Sequence, residues 1–340
     1  MDLSDEAVAR SVERLVELEG DAGAAADDPH RASDLAADMV LDRASRLDLS
    51  QLAAEVEVPV ERVVTLLEQL GIRSQPADRP RFSDEDASLL RAIDRAPAQW
   101  VQTHEVADLL RVIGRNMATA AEAAVAYHVR SVEPRAVELR DWVSANHEMA
   151  ELSLVLGQHL GAVFRHHLRQ AISFQRVSHA GLEQGEIVDL AVAFVDLTGF
   201  TGMSLDLDLM QLGDMVGRLD VMATDTAMAH HCRLVKLIGD EAMFVGPRPP
   251  QMVAAAWEFV DLMAGQGIDA HGAITFGRAI MNHGDYFGPV INLAARLVDH
   301  AGPGELLCDA AVAAAAPARS VGPRDVRGLP QEVEVYRLTR

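Results

Sequence analysis

Lysine is almost missing from this chain. Of 30 basic residues, 29 are arginines, and the one lysine, Lys236, sits in LVKLIGDEAMF at residues 234–244. A coding bias towards arginine accounts for generic surface charge, so the surviving lysine calls for a job of its own. Cysteine is scarce too, with only Cys232 and Cys308 and no Cys-rich spacing, which argues against a disulfide framework or a structural zinc site. No run reaches the roughly 18 consecutive apolar residues that a transmembrane helix needs. The opening MDLSDEAVARSVERLVELEG is acidic and amphipathic, unlike a signal peptide. No membrane span and a reducing, cytoplasmic setting are therefore expected. Basic charge is outweighed: the net charge is −21 and the pI about 4.9. Such a field repels nucleic acid and anionic membranes, so no nucleic-acid partner is expected.

What is present divides into two textures. At 340 residues the chain has room for two domains. Residues 1–180 are rich in Ala, Leu, Arg and Glu at helical spacing, as in SDEAVARSVERLVELEG, SDLAADMVLDRASRLD and LSQLAAEVEVPVERVVTLLEQLG. Loops are predicted at DAGAAADDPH (21–30) and SQPADRPR (74–81), and nearly unbroken helix from about 104 to 175. From about 184 strands alternate with helices. EIVDLAVAFVDL, RLVKLIG, DEAMFVG, IDAHGAITFGRAI, ELLCD and EVEVYRL carry β-signal, and three helical stretches lie between them. The expected class is α+β: an all-helical domain over 1–180, then at 184–340 a mostly antiparallel sheet with helices covering one face.

Three segments of the second half carry chemistry. FVDLTGFT brings an apolar strand to Asp196 and then turns, exposing backbone N–H groups of the kind that bind phosphate. A carboxylate beside such a turn can hold Mg²⁺, although an Asp closing a strand is commonly only a cap. LVKLIGDEAMFV places Asp240 at a Gly-Asp hairpin turn. Paired with the first strand, it would meet Asp196 at one end of the sheet, where two carboxylates can bind two metal ions about 4 Å apart. GDYFGPVINLAARL sets Asn292 and Arg296 four apart on one helical face, with Val290, Ile291, Leu293 and Leu297 expected to be buried. An arginine there offers a fixed fork of donors to an anionic transition state, whereas the plainer reading is a surface polar pair.

In their order and spacing, FVDLTGFT, KLIGDEAMF and DYFGPVINLAARL resemble the catalytic domain of the class III adenylate/guanylate cyclases, a ferredoxin-like, palm-type fold. The resemblance covers roughly residues 184–340 and implies an adenylate cyclase. Asp196 and Asp240, with the Leu197 backbone, would bind two Mg²⁺ or Mn²⁺ ions. Thr198, Gly199, Phe200 and Thr201 would form the phosphate-facing turn. Lys236 and Asp285 would read adenine, the lysine facing N1 and the carboxylate accepting from the 6-amino group. Guanine, with a carbonyl at position 6 and a protonated N1, would mismatch both. Asn292 and Arg296 would position the ribose and neutralise the phosphate as the 3′-oxygen attacks and pyrophosphate leaves. Family members often carry a C-terminal lysine against the triphosphate. This chain has only arginines there, with Arg327 the nearest candidate. The family builds its sites across a head-to-tail dimer, so a homodimer binding ATP is implied.

The helical half resembles, less specifically, the regulatory domain of soluble mycobacterial cyclases that respond to pH. His147, His159, His166 and His167 lie in the stretch leading into the second half, where histidine charge could bias a dimer, or where they are simply solvated. A proton is thus one candidate input. A lipid is another, since AVAYHV and ELSLVLGQHLGAVF could line a pocket as well as a core. LSQLAAEVEVPVERVVTLLEQLG with RFSDEDASLLRAI also reads as a helix-turn-helix, but its acidic surroundings favour helix packing over DNA. Three rivals remain. IGDEAMF resembles the signature of diguanylate cyclases, a guanylate cyclase would use the same machinery on GTP, and a non-catalytic regulator would only bind nucleotide.

Overall fold

The computed structural model describes residues 37–73, 81–96, 103–178, 187–200, 207–329 and 331–340, together with Glu13 and Gly202. The helix expected over SDEAVARSVERLVELEG, the 21–30 loop and most of the 74–81 loop lie outside the described residues. Two compact units, Met1–His166 and His167–Arg340, divide within one long helix. Among the described residues, no helix is long and apolar enough to cross a membrane.

The first unit is helical. α1 (Leu49–Val56) and α3 (Asp84–Asp94) each begin in a capping box, closed by Asp48 with Gln51 and by Ser83 with Asp86. With α2 (Val60–Gln69) they bury Leu52, Val56, Val63, Leu66, Leu67 and Leu90, joined by Leu110 of α4 (Thr103–Ser131). The acidic helix-turn-helix segment is thus a packed core. The stretch expected as nearly unbroken helix is two: α4 ends at Ser131 and α5 (Leu139–Ser178) begins after a turn at Glu133–Arg135. Pro134 explains the break, because it lacks an amide hydrogen and disfavours helix in the residue before it.

The second unit is built on β1 (Ile187–Leu197), α6 (Leu209–Ala229), β2 (Arg233–Ile238), β3 (Glu241–Gly246), α7 (Pro249–Gly265) and β4 (Ala270–Asn282). The strand order β2-β3-β1-β4, all antiparallel, is that of a ferredoxin-like β-α-β-β-α-β core. β5 (Asp285–Phe287) folds back on β4. After α8 (Pro289–Leu297), β6 (Leu306–Cys308) pairs parallel to β4, and a short α9 (Ala310–Ala313) leads to β7 (Ala318–Arg324) and β8 (Val333–Leu338). β7 went unread in the sequence because Gly322 and Pro323 interrupt it. It tolerates proline as the edge strand of the sheet.

Helices cover both faces of this sheet, not one. In β1, Ala191, Ala193, Val195 and Leu197 pack against α6 and α7, while Leu190, Val192 and Phe194 pack against α8. Alternation along a fully buried strand produces this, and it reads as a continuous apolar run. On α8 the buried positions are Val290, Ile291, Ala294 and Leu297, with Leu293 only half-buried.

Gly272 on β4 sits where the strands crowd most. A Cβ there would lie 2.6 Å from the carbonyl oxygen of Phe194 and 3.0 Å from Leu306. The first obstacle is backbone and cannot rotate away. Gly272→Ala should therefore destabilise the protein by about 1–3 kcal/mol, measured by denaturant unfolding; an unchanged midpoint would contradict this packing.

Candidate active site

Three groups of expected site residues have definite places. The first lies where β1 ends and the β2–β3 hairpin turns. Val195 is paired with Ala242, which brings Asp196 alongside Glu241 and the Gly239–Asp240 turn. Asp196 also faces His271 across the β1–β4 ladder, with Nε2 of His271 3.7 Å from Oδ2 of Asp196. Burial and the charge of Asp240 push the Asp196 carboxyl above its usual range, partly opposed by His271 and by the Leu197 amide. Glu241 is pushed up to about 7, first by burial and then by Asp196, Asp299 and Asp240. The carboxylates thus repel one another in a half-buried corner, and a divalent cation would relieve that repulsion. Their hard oxygen donors suit Mg²⁺ or Mn²⁺. Among the described residues no three His, Cys, Asp or Glu side chains gather into a metal-holding cluster.

The turn after β1 is fastened to β4. The Thr198 amide donates to the Asp269 carbonyl at 2.7 Å, and its hydroxyl lies 3.0 Å from Nδ1 of His271. The Thr198 amide is therefore engaged within the chain. Gly199 follows at φ 78 and Phe200 is buried in the core, while Thr201 lies outside the described residues.

The second group is Lys236 with Asp285. Nζ of Lys236 is 2.5 Å from Oδ2 of Asp285, and Oδ1 accepts from the Tyr286 amide at 2.8 Å. Burial pushes the Asp285 carboxyl up, but Lys236 and the Tyr286 amide outweigh it and hold the group below the usual range. The third group is on α8. Asn292 is exposed, and the Arg296 guanidinium donates to the carbonyl of Arg327. It lies over Gly328, where a Cβ would collide with it. The Arg327 side chain itself is exposed.

Among the described residues no hydrogen bond or ion pair links these three groups. His271, the second residue of the thirteen-residue β4, lies beside Asp196, whereas Asp285 lies opposite Asn282 at its far end. The histidines are dispersed in environment. His147 is buried 3.7 Å from Glu151 with Nδ1 unpartnered, while His159, His166 and His167 are exposed on α5. Sequence reading passed over His271, Glu241, Asp299 and Gly328. Only Glu241, next to Asp240, carried a local signal.

The ferredoxin-like sheet thus brings Asp196 and the Gly239–Asp240 turn to one strand end. No family model matches the chain. An uncharacterized protein of Mycobacterium tuberculosis is 30% identical over 308 residues, 85% of this chain and 78% of the relative. A pH-sensitive adenylate cyclase of the same species is 27% identical over 284 residues, 76% of this chain and 71% of the relative. An adenylate cyclase of Streptomyces coelicolor is 35% identical over 147 residues, 42% and 38% of the two chains. The crystal structure of the adenylyl cyclase CyaB from P. aeruginosa aligns at a TM-score of 0.41 and 22% identity, over 46% of this chain and 95% of that one. The chain belongs to the class III adenylate/guanylate cyclase family.

Gly328→Ala should push the Arg296 guanidinium off its seat and lower cyclase kcat by roughly tenfold. Gly322→Ala, equally left-handed at φ 81 but with nothing within 4 Å, controls for backbone strain and should keep its activity. Equal losses in the two variants would show that the seat is irrelevant.

Proposed function

We propose that this protein is an adenylate cyclase that converts ATP to 3′,5′-cyclic AMP and pyrophosphate at sites shared between two identical chains. The observation that carries the reading is the Lys236–Asp285 pair, a cationic donor and a carboxylate acceptor held side by side. Adenine offers an acceptor at N1 and donors at its 6-amino group, the complement of that pair. Guanine inverts both positions and would leave each side chain facing its own kind. The names of two relatives as adenylate cyclases support the same substrate.

Asp196 and Asp240, with the Leu197 carbonyl, would hold the metal ions, Mg²⁺ or Mn²⁺. When bound, these ions supply Lewis acidity at the ribose 3′-hydroxyl and neutralise phosphate charge. Glu241 and Asp299 deepen the negative potential that draws cations to this corner. His271 and Thr198 brace the Asp196 end of β1 against β4. Asn292 orients the ribose. Arg296 meets the charge that grows on the α-phosphate as the bond to the 3′-oxygen forms and the bond to pyrophosphate breaks. Arg327 contacts the triphosphate. The placement of Asp285 and Asp196 near opposite ends of β4 supports a homodimer, in which their two sets of groups come from different chains.

The helical residues 1–180 act as a regulatory domain. The pH sensitivity in the name of the mycobacterial relative and the buried His147 beside Glu151 support a proton as its input.

The purified full chain, given Mn²⁺ or Mg²⁺ with ATP or GTP, is expected to make cyclic AMP from ATP. Asp196→Ala should lower this by on the order of a thousandfold. Cyclic di-GMP from GTP, or no cyclic AMP under any condition, would overturn the reading.

A further inference from the structure

Arg233 is the first residue of β2 and has no part in the chemistry described so far. Its position is set by an irregularity in the strand. Arg233 pairs with Val245 and Leu234 with Phe244, but the register then shifts, and Lys236 pairs with Met243. The bulge leaves Val235 without a partner. Strand neighbours two apart normally share a face, and residues three apart do not. Here the extra residue restores the match. Met243 and Val245 both face the α8 side of the sheet, so Arg233 and Lys236 both accompany that face.

From there Arg233 reaches the turn that presents Asp285. That turn is two residues long, between the paired Asn282 and Asp285, with His283 at φ 54 and Gly284 at φ 81. Arg233 donates to the Gly284 carbonyl at 3.2 Å. Its charge also lies beside the buried Tyr286 and beside Asp285. The amide of that same Tyr286 orients the Asp285 carboxylate. Two cations of β2 therefore straddle one hairpin turn. Lys236 touches the carboxylate, and Arg233 grips the backbone carbonyl just before it.

We propose that Arg233 is a specificity-determining positioning residue: from the bulged strand β2 it clamps the β4–β5 turn and so fixes Asp285 against Lys236 for recognition of the 6-amino edge of the purine. The proposal rests on the reading that Lys236 and Asp285 select the base. Arg233 itself touches no substrate. Its loss lets the turn drift, so the donor and acceptor no longer stand at the spacing adenine requires.

The test uses the full chain with Mn²⁺, reading KM for ATP, the inhibition constant of GTP as competitor, kcat and the melting temperature. Arg233→Leu should raise KM for ATP by roughly tenfold, the size of one charge-assisted hydrogen bond, with GTP inhibition unchanged and kcat little altered. Arg233→Lys, which can still reach one carbonyl, should recover most of the loss. If Arg233→Leu lacks a melting transition, Arg233→Gln is read by the same criteria. An unchanged KM for ATP, or equal weakening for ATP and GTP, would overturn the clamp. Asp285→Asn separates this from the reading beneath it. If that variant keeps wild-type discrimination, base selection by the pair is wrong. If discrimination falls there but not in the Arg233 variants, only the clamp is wrong.

Discussion

The register of β1 against β4 is the constraint on which the rest of this domain depends. Eleven residues of each strand are paired without interruption, from Ile187 with Ile280 to Leu197 with Ala270. A shift of one residue would exchange the two faces of β1, turning the side that meets α6 and α7 towards α8. It would also separate Asp196 from His271 and from the hairpin corner that holds Asp240 and Glu241. The alternating small and large residues of AVAFVDL fix the register, because Ala191 and Ala193 admit the helices on one face while Val192 and Phe194 fill the other.

Charge is arranged on that frame with a clear division. At one end carboxylates are forced together and raised by burial and by each other, an arrangement that costs stability in the free chain and favours cations. At the β4–β5 turn a carboxylate is instead satisfied by a lysine and an amide and stays ionised. The single lysine of the chain belongs to the second environment. Arginine's planar fork suits Arg296, which grips a carbonyl at the 327–328 turn. A compact ammonium on a flexible stem suits the edge of a base.

Much of this was legible in the sequence wherever the determinant was local. The Gly239–Asp240 turn, the strand leading to Asp196 and the Asn292/Arg296 spacing are each contained in a dozen residues, and all took the expected form. What escaped reading depends on pairing between distant segments. His271 matters only because β4 sets it opposite Asp196, and nothing around it in IDAHGAITFG marks it. Arg233 gained its place from a bulge that no local pattern announces. Gly328 matters because a side chain from α8 lies on it. Pro134 was visible, but the apolar periodicity on both sides of it concealed the break between α4 and α5.

Asp196 and Asp285 lie near opposite ends of β4, and in the proposed homodimer each site is completed by a second chain. Mixing two full-length variants that are each inactive, Asp196→Ala and Arg296→Ala, tests this most directly. In a two-fold dimer, random exchange gives one intact site in every mixed pair, so about a quarter of wild-type cyclic AMP production should return. No recovery, with mixed dimers present, would contradict sites built from two chains.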